Sequence, residues 1–145
     1  MQTADRPLAL VTGGWRRIGA EIARALAADG WDLALHAHHA EAVDAALTEE
    51  LRGSGAAVEA LSGDLAEPGL PDQLLAYCSR PPTLLVNSAS IFRDDRLATL
   101  TAESLDAHMR INLYAPLLLT KAFAARLGDR SGSVVMLLDQ RVRNP

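Results

Sequence analysis

Five short apolar runs, Leu8–Thr12, Asp32–His36, Ala57–Leu61, Thr83–Asn87 and Ser133–Leu138, are nearly continuous instead of alternating apolar with polar. That is how parallel strands covered on both faces read. Helical periodicity fills the gaps. Ile18, Ile22 and Leu26 recur every four residues up to Asp29-Gly30, and Val43, Leu47 and Leu51 do so up to Gly53-Ser54-Gly55. Pro71–Ser79 forms a shorter helix closed by Arg80-Pro81-Pro82. Thr101 is an N-cap with Glu103 in the first turn, and the pattern predicts a long helix to about Leu127, broken or bent at Pro116 and stopped by Gly128. Strand and helix alternate four times before the fifth strand. Right-handed crossovers turn that order into a doubly wound parallel α/β sheet, strand order 3-2-1-4-5.

Composition narrows the class. Hydrophobic residues make up 49% and charged residues 22% of the 145, which suits one soluble globular domain over residues 1–145. Fourteen Lys+Arg against 18 Asp+Glu leave a net charge of −4, so no broad basic face offers itself to nucleic acid. The single cysteine, Cys78, forms no internal disulfide or zinc cluster, which fits a reducing cytoplasm. The N-terminal residues lack a signal-peptide apolar core, and no apolar run reaches the roughly 18 residues of a membrane helix. A cytoplasmic location is expected. The fifth run stops shortly before Pro145 and leaves a central-type strand as an open edge, so the chain is expected to be part of a larger domain, incomplete at its C-terminus.

Ligands of such sheets bind at the carboxyl ends of the strands. After the first strand comes Thr12-Gly13-Gly14-Trp15-Arg16-Arg17-Ile18-Gly19. Glycines permit a tight turn and close approach of backbone, and the following helix offers free N–H groups to a pyrophosphate. It is no P-loop, for no Gly-Lys-Ser/Thr follows, and it misses G-x-G-x-x-G because Arg17 holds a glycine position. The competing reading is a plain strand–helix turn with incidental glycines.

The loop resembles the Thr-Gly-x-x-x-(Gly)-x-Gly motif of the short-chain dehydrogenase/reductase family, whose nucleotide domain is Rossmann-like. The likeness runs from about Leu8 onward and implies cofactor contacts by Thr12, Gly13, Arg16, Arg17, Ile18 and Gly19. Asp64-Leu65 is similar to the family's adenine-contacting acidic segment, and Asn87-Ser88-Ala89-Ser90 to its Asn-Asn-Ala-Gly segment, placing Asn87, Ala89 and Ser90 beside the cofactor. Asn112 resembles the helix asparagine of the catalytic tetrad. Four departures resemble the pteridine-reductase-like branch. Arg17 and Ser90 replace glycines and would bind cofactor phosphate and pterin; Phe92 stands where a ring stacks on the pterin; Asp139 stands where most relatives carry the catalytic serine. Partly desolvated beside a bound ring, Asp139 would relay a proton where a serine could only orient. The plainer readings are rim packing for Phe92 and a turn cap for Asp139.

His36-Ala37-His38-His39 ends strand two, beside an adenosine ribose. No acid follows until Glu41, and Asp32 lies at the wrong end of the strand. With no carboxylate to hold a 2′-hydroxyl, His36, His38 and His39 favour a 2′-phosphate and NADPH over NADH. A metal reading of the histidines lacks a Cys or carboxylate at suitable spacing, and solvated loop histidines are the bland alternative. Cys78 is assigned to packing, Trp15 and Trp31 to covering the sheet edge, and Glu49-Glu50 to a solvated helix face.

The family's Tyr-x-x-x-Lys pair is missing: neither Tyr77 nor Tyr114 has Lys four residues on, and Lys121 is the only lysine. The resemblance implies an NADPH-dependent reductase passing hydride to a C=N bond of a pterin- or folate-type substrate, these 145 residues alone being inactive. The alternatives are a carbonyl-reducing member and a non-catalytic nucleotide-binding or dimerising module. Self-association through the long helix 102–127 is expected of the complete protein; nucleic acid and membrane are not.

Overall fold

The computed structural model describes residues 5–139. In chain order these form β1 (Leu8–Thr12), α1 (Arg17–Ala28), β2 (Asp32–Ala37), α2 (Ala45–Gly53), β3 (Val58–Ser62), α3 (Leu70–Tyr77), β4 (Leu84–Asn87), α4 (Ala102–Met109), α5 (Ala115–Leu127) and β5 (Ser133–Met136). The strands make one sheet, order β3-β2-β1-β4-β5, and every pairing is parallel. This is the expected Rossmann-like topology, with strand bounds displaced by a residue or two.

Alternation along β1 builds both layers of the core. Leu8 and Leu10 face the side covered by α3 and α5, against Leu74, Leu119 and Phe123. Ala9 and Val11 face the side of α1 and α2, against Ala23, Leu47 and Leu51. All five β1 residues are buried, as a central strand requires. At the far end of the sheet all four β5 residues are exposed, with Val135 43% accessible. Among the described residues β5 pairs with β4 alone.

Two local expectations are corrected. The helix does not break at Pro116; the turn before it, Arg110–Tyr114, widens into a π-helical turn, and Pro116 lies in the first turn of α5. Proline lacks an N–H and its ring crowds the carbonyl one turn back, which a wider turn relieves. Trp15 is not an edge cover. The Gly13-Gly14 turn folds it over β2, where it is 3% exposed and its indole N–H donates to the Leu35 carbonyl at 3.0 Å. Trp31 is partly buried against the same cluster.

Asp32, at the amino end of β2, fastens the opposite rim. Its Oδ1 accepts the Ala57 N–H at 2.8 Å and lies 3.4 Å from Arg6 Nε, while Oδ2 accepts Arg80 Nη2 at 2.6 Å. Arg6 in turn donates to the Ala27 and Trp31 carbonyls. Asp32→Ala, which strands the Ala57 N–H, is expected to lower unfolding stability by about 2–3 kcal/mol, and Asp32→Asn by less because it keeps that acceptor. Urea denaturation of the two variants checks the order; equal losses would remove the Ala57 bond from the account.

Candidate functional site

The strand order reverses at β1, which has β2 on one side and β4 on the other, so a crevice opens over the carboxyl ends. Register places Thr12, His36 and Asn87 side by side there. The buried Thr12 hydroxyl accepts the Ser88 and Ala89 N–H groups at 3.1 Å each, tying the turn after β1 to the turn after β4.

The glycine turn packs too closely for side chains. Gly13 has φ +62°, and a Cβ there would sit 3.1 Å from Ala89 Cα; at Gly19 it would sit 2.0 Å from the Gly13 carbonyl oxygen. Arg17 has φ +50°, the one positive φ among described non-glycine residues, so this position keeps a glycine-like backbone while carrying a cation. α1 starts without a side-chain cap or an acid in its first turn. By contrast Asp44 caps α2 through the Leu47 N–H, and Thr101 caps α4 through the Ser104 N–H. The free N–H groups of α1 therefore stand over the glycine turn, where an anion would satisfy them.

Two cavities share the turn after β4. The first, about 470 Å³, brings together Gly13, Arg16, His36, His38, Asp64, Leu65, Ala89 and Ser90 of the expected residues. Asp64 accepts the Ala66 N–H at 2.8 Å and lies 3.8 Å from His38 Nδ1. The second, about 290 Å³, brings together Asn87, Ala89, Ser90, Phe92, Asn112 and Asp139. Thr12, Arg17, Ile18, Gly19 and His39 line neither cavity. Thr12 and Gly19 shape the turn from behind, while Arg17, Ile18 and His39 are exposed.

Buried polar groups define what the crevice lacks. Asn87 is 5% exposed, yet its Oδ1 and Nδ2 have no hydrogen-bond partner among the described residues. Such a group costs stability unless a ligand or water pairs with it. Asn112, at the π-helical turn, spends both amide atoms on Ile91, accepting its N–H at 2.9 Å and donating to its carbonyl at 2.8 Å. Phe92 is 78% exposed. Asp139 lines the second cavity and is exposed.

His36 is also corrected. It is 2% exposed, and its Nε2 lies 2.8 Å from the Gly63 carbonyl, while the Gly13 N–H points at Nδ1 from 3.5 Å. That pairing fixes the Nε2–H tautomer. Burial holds its pKa below the usual histidine value, so the ring is a neutral brace between two turns and no cation for a phosphate. Sequence reasoning also missed Arg93 and Ile111, which line the first cavity. Ile111 precedes Asn112, a signal that was there to use; Arg93 carried none. The thiol of Cys78 is buried, donates to the Leu74 carbonyl, and is pushed up to about 11 by burial, which leaves it packing and no nucleophile. Among the described residues no three His, Cys, Asp or Glu side chains gather as a metal site, and no helix is long and apolar enough to cross a membrane.

Residues 7–138 match the family model described as short chain dehydrogenase. The chain belongs to the short chain dehydrogenase family. Within that family, a 3-oxoacyl-[acyl-carrier-protein] reductase of Synechocystis is 35% identical over 141 residues, 93% of this chain and 56% of its own. Pteridine reductase 1 of Leishmania tarentolae is 30% identical over 181 residues, 96% of this chain and 63% of its own. The crystal structure of FolM alternative dihydrofolate reductase 1 from Brucella suis, in complex with NADP, aligns with a TM-score of 0.83 at 34% identity, covering 94% of this chain and 58% of that one. The chain spans little more than half the length of these relatives.

The buried His36 gives a signed pH dependence. Unfolded, it takes up a proton near its ordinary pKa of about 6.5; folded, only at lower pH. The unfolded state thus binds more protons in between, and stability falls as pH drops below about 6.5. His36→Gln keeps a donor for Gly63 without titrating, so its unfolding free energy is expected to fall less between pH 7.5 and 5. Parallel pH profiles for both proteins would contradict this.

Proposed function

We propose that this chain is the NADP(H)-binding portion of a short-chain reductase whose second cavity receives a pterin- or folate-type ring. The observation that carries the nucleotide reading is the glycine turn running into the uncapped α1 beside the larger cavity. The unpartnered Asn87 fits the same reading, since a bound group would supply the hydrogen bonds it lacks. Support comes also from the Brucella suis relative in complex with NADP.

The residues divide the work. The α1 N–H groups and Gly13 take the pyrophosphate. Asp64 and Leu65 take the adenine. Arg16, with His38 and His39 at the end of β2, where the chain itself carries no acid before Glu41, takes the 2′-phosphate, and Arg17 lies close enough in sequence to add a second guanidinium. Bound there, the nicotinamide supplies a hydride. On the substrate side Phe92 offers an exposed ring for stacking, Ser90 and Asp139 offer hydrogen bonds to ring nitrogens, and Asn112 keeps Ile91 in place through both its amide atoms. Asp139 would assist the family's tyrosine, which is not among these residues, in delivering the proton that completes reduction of a C=N bond. The identity to pteridine reductase 1 favours a pterin, and the 3-oxoacyl reductase relative favours a carbonyl substrate as second reading. Exposed Leu113 and Leu117 make the α4–α5 face the place for self-association.

Calorimetry on the 145-residue chain is expected to give tighter binding of NADPH than of NADH, and none by Gly13→Val, whose side chain meets Ala89. Tighter NADH binding would overturn the phosphate assignment. A second measurement concerns turnover. The Tyr-x-x-x-Lys pair is not among these residues, and a positioned proton donor is worth about 10²–10⁴-fold. The chain alone is expected to bind nucleotide while reducing dihydropterin or a 3-oxoacyl thioester at rates lower by that factor. Ordinary enzyme rates would overturn the requirement, and the faster substrate decides between the two readings.

A further inference from the structure

The segment after β4 is a partition. Ala89, Ser90 and Ile91 line both cavities, Phe92 lines only the second and Arg93 only the first. Two side chains one helical turn apart hold it to the helix beneath. Asn112 brackets the Ile91 backbone, and His108 Nε2 accepts the Arg93 N–H at 3.1 Å. With residues 91 and 93 pinned on one side, the intervening Phe92 is presented on the other. His108 is itself fixed, because its Nδ1 lies 2.8 Å from the Ser104 carbonyl and so must carry the hydrogen. Protonation of Nε2 would replace the acceptor by a donor and break the Arg93 contact.

We propose that His108 is a positioning residue of the binding site, a latch that in its neutral Nδ1–H form holds Ile91–Arg93 as the wall between the two cavities. Among charged groups, Asp95 faces the ring from the loop, 4.0 Å from Nδ1 and bonded to the Ser104 hydroxyl; on α4 itself Asp106 is spent on Arg110 at 2.7 Å. The side chain of Arg93 has no hydrogen bond or ion pair among the described residues, so the latch presents an uncommitted guanidinium to the larger cavity. The value of that cation to a nucleotide phosphate rests on the function proposed above; the latch itself does not.

Ring nitrogen NMR and amide exchange on the 145-residue chain test the latch without any ligand. The expected results are an Nδ1–H ring for His108 and an Arg93 amide protected from exchange. His108→Ala should speed Arg93 exchange about tenfold, the loss of one hydrogen bond, while His108→Gln, whose amide oxygen still accepts, should restore protection. In the same variants the NADPH dissociation constant should rise several-fold for Ala and recover for Gln. An Nε2–H ring, or Arg93 exchange unchanged in His108→Ala, overturns the proposal. Unchanged NADPH affinity in that variant, with Arg93 exchange faster, would overturn His108 as a positioning residue of the nucleotide site. Protection intact with no NADPH binding by the unaltered chain would remove the nucleotide reading and leave the latch standing.

Discussion

The Thr12 hydroxyl is the tie on which the crevice depends. Parallel strands give no guarantee that the turns leaving them stay together, since each runs off to a helix on its own face. Thr12 ends the central strand, and its one oxygen gathers the Ser88 and Ala89 N–H groups from the neighbouring turn. The Gly13–Ala89 approach follows from that tie, and so does the absence of side chains at Gly13 and Gly19. A larger residue anywhere in this stack would push the turns apart and close the space over α1.

Buried polar groups at the carboxyl ends follow the same logic in different ways. His36 finds partners in two turns and is neutral; Thr12 spends its oxygen on a third turn; Asn87 finds none among the described residues. An amide left without a partner among the described residues, beside two satisfied neighbours, marks the place where a ligand or water would pair. At the amino ends the pattern is opposite. Asp32 is saturated by Ala57, Arg6 and Arg80, which makes that rim a fastening and leaves no room for chemistry.

The sheet was legible because both of its faces are covered. Continuous apolar runs such as Leu8–Thr12 state that fact directly, and crossover handedness leaves few orders to choose from. The nucleotide turn was legible for a local reason, the close approaches at Gly13 and Gly19 that exclude side chains. What sequence could not carry was direction. Nothing in His36-Ala37-His38-His39 says that the first histidine turns inward to Gly63 and the next outward, because strand ends lose their alternation where the turn begins. Trp15 has an indole N–H whose partner, the Leu35 carbonyl, lies 20 residues away. His108 reads as an ordinary helix residue until the loop it holds is in place. Pro116 signalled a defect, but relief came in the preceding turn, because the crowded carbonyl lies one turn back.

The central claim is that one crevice, formed by the turn into α1 and the unpartnered Asn87, takes a dinucleotide. Titrating NADP⁺ into isotopically labelled chain while following individual amides tests it most directly. The account predicts large shifts at the backbone amides of Gly13–Gly19 and at the side-chain amide of Asn87, with the Asp32–Arg80 rim unmoved. Shifts confined to the exposed β5 edge, or an Asn87 side chain that does not respond at saturating nucleotide, would contradict it.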